Sequence, residues 1–186
     1  MSEDFEIEND VLVKYNGTDK SVTVPEGVRV IGRGAFGFCD FLEEIELPSS
    51  LEMIEDIAFF ACSSLKQIDF PIGLKQIGVD VFACCHALEQ VTIPLSVEKI
   101  GMFAFCDCMN LKRARIPVCL CEQVKTNHVF DEGLADENIK WYGIEMKAEI
   151  PPDTKPEIPP ETNTVAREER TDTVPDLTET RPELEG

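Results

Sequence analysis

Proline recurs at positions 25, 48, 71, 94 and 117, always 23 residues apart. The same interval links Cys39, Cys62, Cys85 and Cys108; Ile31, Ile54, Ile77 and Ile100; Phe36, Phe59, Phe82 and Phe105; and Leu42, Leu65, Leu88 and Leu111. A unit this short cannot bury its own apolar side chains, so the copies must stack and share one core. The chain is thereby restricted to a solenoid.

Spacing within the unit predicts its parts. Leu65, Ile68 and Phe70 suit a short strand with one face inward, and Pro71 ends its ladder. Ile54, Ala58, Phe59, Cys62 and Leu65 recur at threes and fours, which predicts a short helical or 3-10 segment on the way back. Successive strands then run parallel, about 4.8 Å apart. Exposed terminal coils need caps. Residues 5–24 read as strand, turn, strand, turn, strand, with Asn16-Gly17 supplying a turn that tolerates positive φ. Repeats fill about 25–117, after which the period breaks. The remainder to 146 predicts a closing cap: a helix near Cys119 to Val129, then a strand around Ile139 to Ile144 whose Trp141 and Tyr142 cover the last rung. Residues 148–186 have no aromatic residue and are crowded with Pro, Glu and Thr, so a disordered tail, in part a semi-rigid spacer, is expected beyond a domain spanning 1–147.

In outline the unit is IP-x-x-V/L-x-x-I-G-x-x-A/V-F-x-x-C-x-x-L-x-x-I. From Phe5 to about Glu145 this resembles the BspA-like leucine-rich repeat family. The resemblance implies an α/β fold: a curved right-handed leucine-rich-repeat solenoid with a parallel concave sheet and short helical or 3-10 convex segments. It also implies adhesion and protein binding at cell surfaces, with no shared catalytic residues.

A formal charge of −19, with acidic residues outnumbering basic ones in both the body and the tail, argues against nucleic acid and anionic membranes as partners. The opening MSEDFEIEND has neither a basic nor an apolar leader region, and no stretch nears the roughly 18 apolar residues of a membrane span. Composition therefore predicts a cytoplasmic protein with reduced thiols; the family resemblance implies the cell surface as the alternative.

The run FACCHALEQ at 82–90 places two cysteines beside a histidine. Cys85 belongs to the repeating column, where a small apolar side chain fits the core. Stacked cysteines in one column stand about 4.8 Å apart, beyond the usual 3.5–4.5 Å between the β-carbons of a disulfide. Cys84, Cys106, Cys119 and Cys121 lie off the column, with His86 and His128 as further donors. They form the basis of an alternative function, thiol or metal binding, but no two pairs have a known zinc spacing, so no metal or cofactor is assigned. No nucleophile motif, phosphate loop or dinucleotide fingerprint appears, and a non-enzymatic role is expected.

Strand residues that do not point inward fall into three outer columns. The first, Lys20, Glu43, Lys66, Glu89 and Lys112, alternates in sign and suits a ladder of ion pairs that holds the register. The second is Ser21, Glu44, Gln67, Gln90 and Arg113; the third is Thr23, Glu46, Asp69, Thr92 and Arg115. These grade from acidic to basic along the stack. A protein partner of complementary charge on this concave face is the expected function.

Overall fold

The structure, a computed structural model, describes residues 4–130, 134 and 136–143. In chain order the strands are β1 (Phe5–Glu8), β2 (Val11–Tyr15), β3 (Ser21–Thr23), β4 (Val30–Ile31), β5 (Glu44–Glu46), β6 (Met53–Ile54), β7 (Gln76–Ile77), β8 (Gln90–Thr92), β9 (Lys99–Ile100), β10 (Arg113–Pro117) and β11 (Ile139–Tyr142). A single short helix, α1 (Cys121–Thr126), precedes β11 among the described residues.

The 23-residue period appears directly as register. Val30 pairs with Met53, Met53 with Gln76, and Gln76 with Lys99, so β4, β6, β7 and β9 form one parallel ladder, extended by β2 and β1. The concave file holds β3 paired with β5, and β8 paired with β10 and then β11. Between them, residues 67–69 take a strand's place without joining the ladder. Bonds from Lys66 N to Glu43 O (3.2 Å) and from Glu89 N to Lys66 O (3.2 Å) keep that coil in step. Phe70 sits at its end, where the other coils carry Val24, Leu47, Ile93 and Ile116, and its ring packs edge-on against Phe82. The coil with the bulkiest residue at this place is the one left unpaired.

The return segment, expected as a short helical or 3-10 segment, takes the form of consecutive turns with 3-10 bonding. Ala35, Gly37 and Cys39 donate to the carbonyls three residues back, as in a 3-10 helix. Positive φ at Gly34, Phe38, Ile57, Ala61, Asp80, Cys84, Phe103 and Asp107 stops each turn from propagating. For the non-glycine residues that backbone costs about 1–2 kcal/mol each. It frees alternate amides for the next coil: Phe36 N donates to Ala58 O (2.8 Å) and Phe38 N to Phe60 O (2.8 Å), a pattern repeated from Phe59 to Val81 and from Ala61 to Ala83. Each coil is thus bonded to the next on three sides.

Inside, equivalent residues form columns. Phe36, Phe59, Phe82 and Phe105 stack nearly parallel at 4.9, 5.1 and 5.1 Å; Tyr15 and Phe5 continue the column at one end and Phe130 at the other. The column cysteines are 7%, 0%, 0% and 5% exposed, as the period requires. They do more than fill space. The thiol of Cys62 donates to Phe36 O (3.1 Å), that of Cys85 to Phe59 O (3.3 Å) and that of Cys108 to Phe82 O (3.2 Å). Each phenylalanine carbonyl also accepts from the cysteine N–H of its own coil, so one oxygen ties two coils together. Burial pushes the Cys39, Cys62 and Cys85 thiols above the ordinary range.

The caps differ in detail from expectation. In the amino-terminal cap the tight turn lies at Asn9 and Asp10, both at positive φ, joining β1 to β2 as a two-residue hairpin. Gly17, expected to serve a turn, answers a steric demand: a β-carbon there would lie 2.8 Å from a Tyr15 ring carbon. In the carboxyl-terminal cap the helix is shorter than Cys119 to Val129, a 3-10 turn over Val118–Leu120 followed by α1. It must end early because Asn127 O and Val129 O accept from Phe103 N and Phe105 N of the preceding coil. From this cap Gln123 also reaches back, its amide accepting from Ile100 N (3.1 Å) and donating to Glu98 O (2.8 Å), which occupies the edge of β9. The last coil has grown, since Phe105 bridges Phe130 and Ala114 pairs with Ile139, 25 residues apart. β11 ends at Tyr142, short of the expected Ile144, where Gly143 takes up a positive φ of 103°; the boundary at 147 and the tail at 148–186 lie outside the described residues.

Two outcomes test this core. Phe82→Ala, at the middle of the ring column, is expected to lower stability by about 3–5 kcal/mol, read from chemical denaturation. Thiol labelling of the native protein at neutral pH should modify exposed Cys119 first and leave Cys39, Cys62, Cys85 and Cys108 silent until denaturant is added.

Candidate functional site

The outer columns named from the period are where the alternation of the strands puts them. All of their charged and amide residues from Glu44 to Arg115 are exposed; Glu43 is half-buried between two lysines. Its Oε1 accepts from Lys20 Nζ at 2.7 Å and its Oε2 from Lys66 Nζ at 2.5 Å. Lys112 pairs with Glu89 at 3.6 Å. These four, with Lys20, mostly neutralise one another. A second ladder escaped the sequence reading. Arg29 and Lys75 flank Glu52 at 2.6 and 3.9 Å on the neighbouring sheet, and Arg33 meets Asp56 at 3.1 Å. The same 23-residue offset links these pairs, so the signal was present in the sequence.

The other two columns are not neutralised along the stack. Glu44 and Glu46 stand on β5, Glu46 accepting from the Thr23 hydroxyl at 3.0 Å. Gln67, Asp69, Gln90, Thr92, Arg113 and Arg115 line a trough of about 320 Å³, and Lys140 completes it. Lys140 was missed because the last coil is two residues longer: a constant period places Asn138 beside Arg115, whereas the register pairs Arg115 with Lys140. The Arg115 guanidinium lies over the Tyr142 ring, 5.4 Å from its centroid, and the Tyr142 hydroxyl donates to Ile93 O. Of the two residues expected to cover the last rung, Tyr142 is half-buried and also orients an arginine, whereas Trp141, with no further coil described beyond it, is exposed.

The off-column thiols are partly accessible. Cys84 N donates to Cys106 O (2.9 Å), and both cysteines are half-buried in the places where the Phe38 and Phe60 rings meet at 5.4 Å two coils earlier. Burial, then Asp107 and Asp80, raise the Cys84 thiol. Cys119 is exposed and Cys121 lies half-buried at the start of α1. His128 is exposed and stacks on Phe103; His86 is half-buried, its carbonyl accepting from Asn110. Among the described residues no three of His, Cys, Asp and Glu converge to hold a metal, and no helix is long and apolar enough to cross a membrane.

Glu43 gives the ladder a pH signature. Hydrogen bonds from Lys20 and then Lys66 hold its carboxyl at about 2, against an ordinary 4.5. A depressed carboxyl stabilises the fold fully above its unfolded value and loses that contribution as pH falls toward the folded one. Glu43→Gln should therefore lower the denaturation midpoint at neutral pH, and the gap from the unsubstituted protein should close between pH 4.5 and about 2.

Comparison with known proteins agrees with this architecture. The family model of the BspA-type leucine-rich repeat region, six copies long, matches residues 7–132. A leucine-rich repeat protein from Bacteroides ovatus is 34% identical, with a TM-score of 0.59, over 67% of this chain and 30% of that one. A leucine-rich cell surface protein from Faecalibacterium prausnitzii is 28% identical, with a TM-score of 0.64, over 76% and 38%. The T. pallidum leucine-rich repeat protein is 30% identical, with a TM-score of 0.53, over 62% and 70%. The chain thus spans about a third of the length of the first two. A search of curated proteins finds no match. With its register, its columns and its caps, the chain belongs to the BspA-type leucine-rich repeat family.

Proposed function

We propose that this protein is a non-enzymatic interaction module whose concave sheet receives a protein partner. One observation carries the reading. Coil-to-coil pairing consumes the first outer column, yet it leaves Gln67, Gln90, Thr92, Arg113 and Arg115 together around an open trough. A repeat stack builds such a surface without strain, because every strand adds one outward residue to each row at a fixed spacing. Leucine-rich repeat relatives support a scaffold role. The same face serves in the cytoplasm, as composition predicts, or at a cell surface, as the F. prausnitzii relative is described.

A photo-crosslinking residue at Gln90, on the concave face, should yield covalent adducts with a partner protein in cells. The same residue at Met102, exposed on a different side of its coil, should yield none. Adducts at Met102 with none at Gln90 would put the binding surface elsewhere. A second reading, thiol or metal binding, draws on the adjacency of Cys84 and Cys106 on neighbouring coils. It requires the protein to retain an equivalent of zinc through dialysis; metal-free protein with all thiols titratable removes it.

A further inference from the structure

Six basic side chains along the stack obey one rule. Lys20, Arg29, Arg33, Lys66, Lys75 and Lys112 each have a carboxylate partner one coil away. Arg115 has Lys140 in register beside it. Side chains directly opposite on neighbouring strands lie close enough for like charges to destabilise the pair. Arg113, two residues along β10, projects from the same face, so a third positive charge joins them. None of the three has an acidic partner among the described residues. They line the trough together with Gln90 and Thr92, neutral residues able to donate, while the one carboxylate in its lining, Asp69, belongs to the coil before β8 and stands two coils from Arg115. Arg115 is also held in place by the Tyr142 ring, so less rotamer freedom is lost when it binds.

Resting on the concave-face reading, we infer that the trough over β8, β10 and β11 recognises a run of carboxylate side chains in an extended acidic peptide of a partner protein. The carboxylates supply the missing anions, and a guanidinium matches each of them with two donors. The orientation is set as well. Glu44 and Glu46 repel an acidic run from β5, so the acidic part of the ligand lies over the carboxyl-terminal coils. On a chain of net charge −19 this local reversal of sign is where an acidic segment has counter-charges to meet.

Fluorescence anisotropy with the full chain tests this, using a labelled, acetylated tetra-glutamate peptide and its tetra-glutamine counterpart. The glutamate probe is expected to bind, more weakly as salt is added, and the glutamine probe not to bind. Arg115→Glu and Lys140→Glu should each weaken binding roughly tenfold, the weight of one charge-assisted hydrogen bond. Lys140→Glu also places an opposite charge beside Arg115, so its unfolding midpoint should rise while its affinity falls. Misfolding cannot produce that pair of changes. Glu44→Lys should leave the glutamate probe bound at least as tightly.

Equal binding of both probes, no binding of the glutamate probe, or indifference to Arg115→Glu and Lys140→Glu each overturns the inference. So does displacement of the probe by inorganic phosphate at concentrations where acetate has no effect, which would make this a phosphate site. If the glutamate probe fails while Gln90 still crosslinks a partner, the acidic-peptide inference falls and the concave-face reading stands. If the Gln90 crosslink fails too, both fall.

Discussion

Everything in this molecule depends on coils that stack in register. The carbonyls of Phe36, Phe59 and Phe82 show how tightly this is enforced, because each accepts both the amide of its own coil's cysteine and the thiol of the next coil's. The rings on the same residues stack on their equivalents at 4.9 to 5.1 Å. Slipping one coil by a residue would break the ring stack, the thiol bond and the strand ladder together. Cooperation among weak contacts, rather than any single strong one, sets the register.

The return segments show what that register requires locally. Left to its spacing, the segment would wind as a short helical or 3-10 stretch and satisfy its amides internally. Alternate positive φ values turn those amides toward the neighbouring coil, and the strain is offset by hydrogen bonds that bind coil to coil. Ile57 and Phe103 are poor residues for that backbone when taken alone. Their place in the stack overrides the local preference.

The surface follows from the same constraint. A column of side chains at a fixed spacing must manage its own electrostatics, and two columns do so by alternating sign. Where alternation lapses, at Glu44, Glu46 and Asp69 toward one end and at Arg113, Arg115 and Lys140 toward the other, the charges are left for solvent or a partner. Paired and unpaired charges occupy different columns of the same face, so a substitution in one need not disturb the other.

The period alone determined the solenoid, the inward cysteine and phenylalanine columns, and the exposed rows from Glu44 to Arg115, because a repeat of constant length makes sequence offset equivalent to spatial adjacency. The Arg29–Glu52 pair was equally legible at that offset and was overlooked. Only the tertiary structure decided what depends on departures from constancy. The 25-residue final coil brings Lys140 beside Arg115, Gln123 caps β9 with a side chain, and Asn9-Asp10 rather than Asn16-Gly17 makes the hairpin turn. Such features arise where the stack ends and a neighbour is missing, so their geometry is set by whatever covers the last coil, which no internal period specifies.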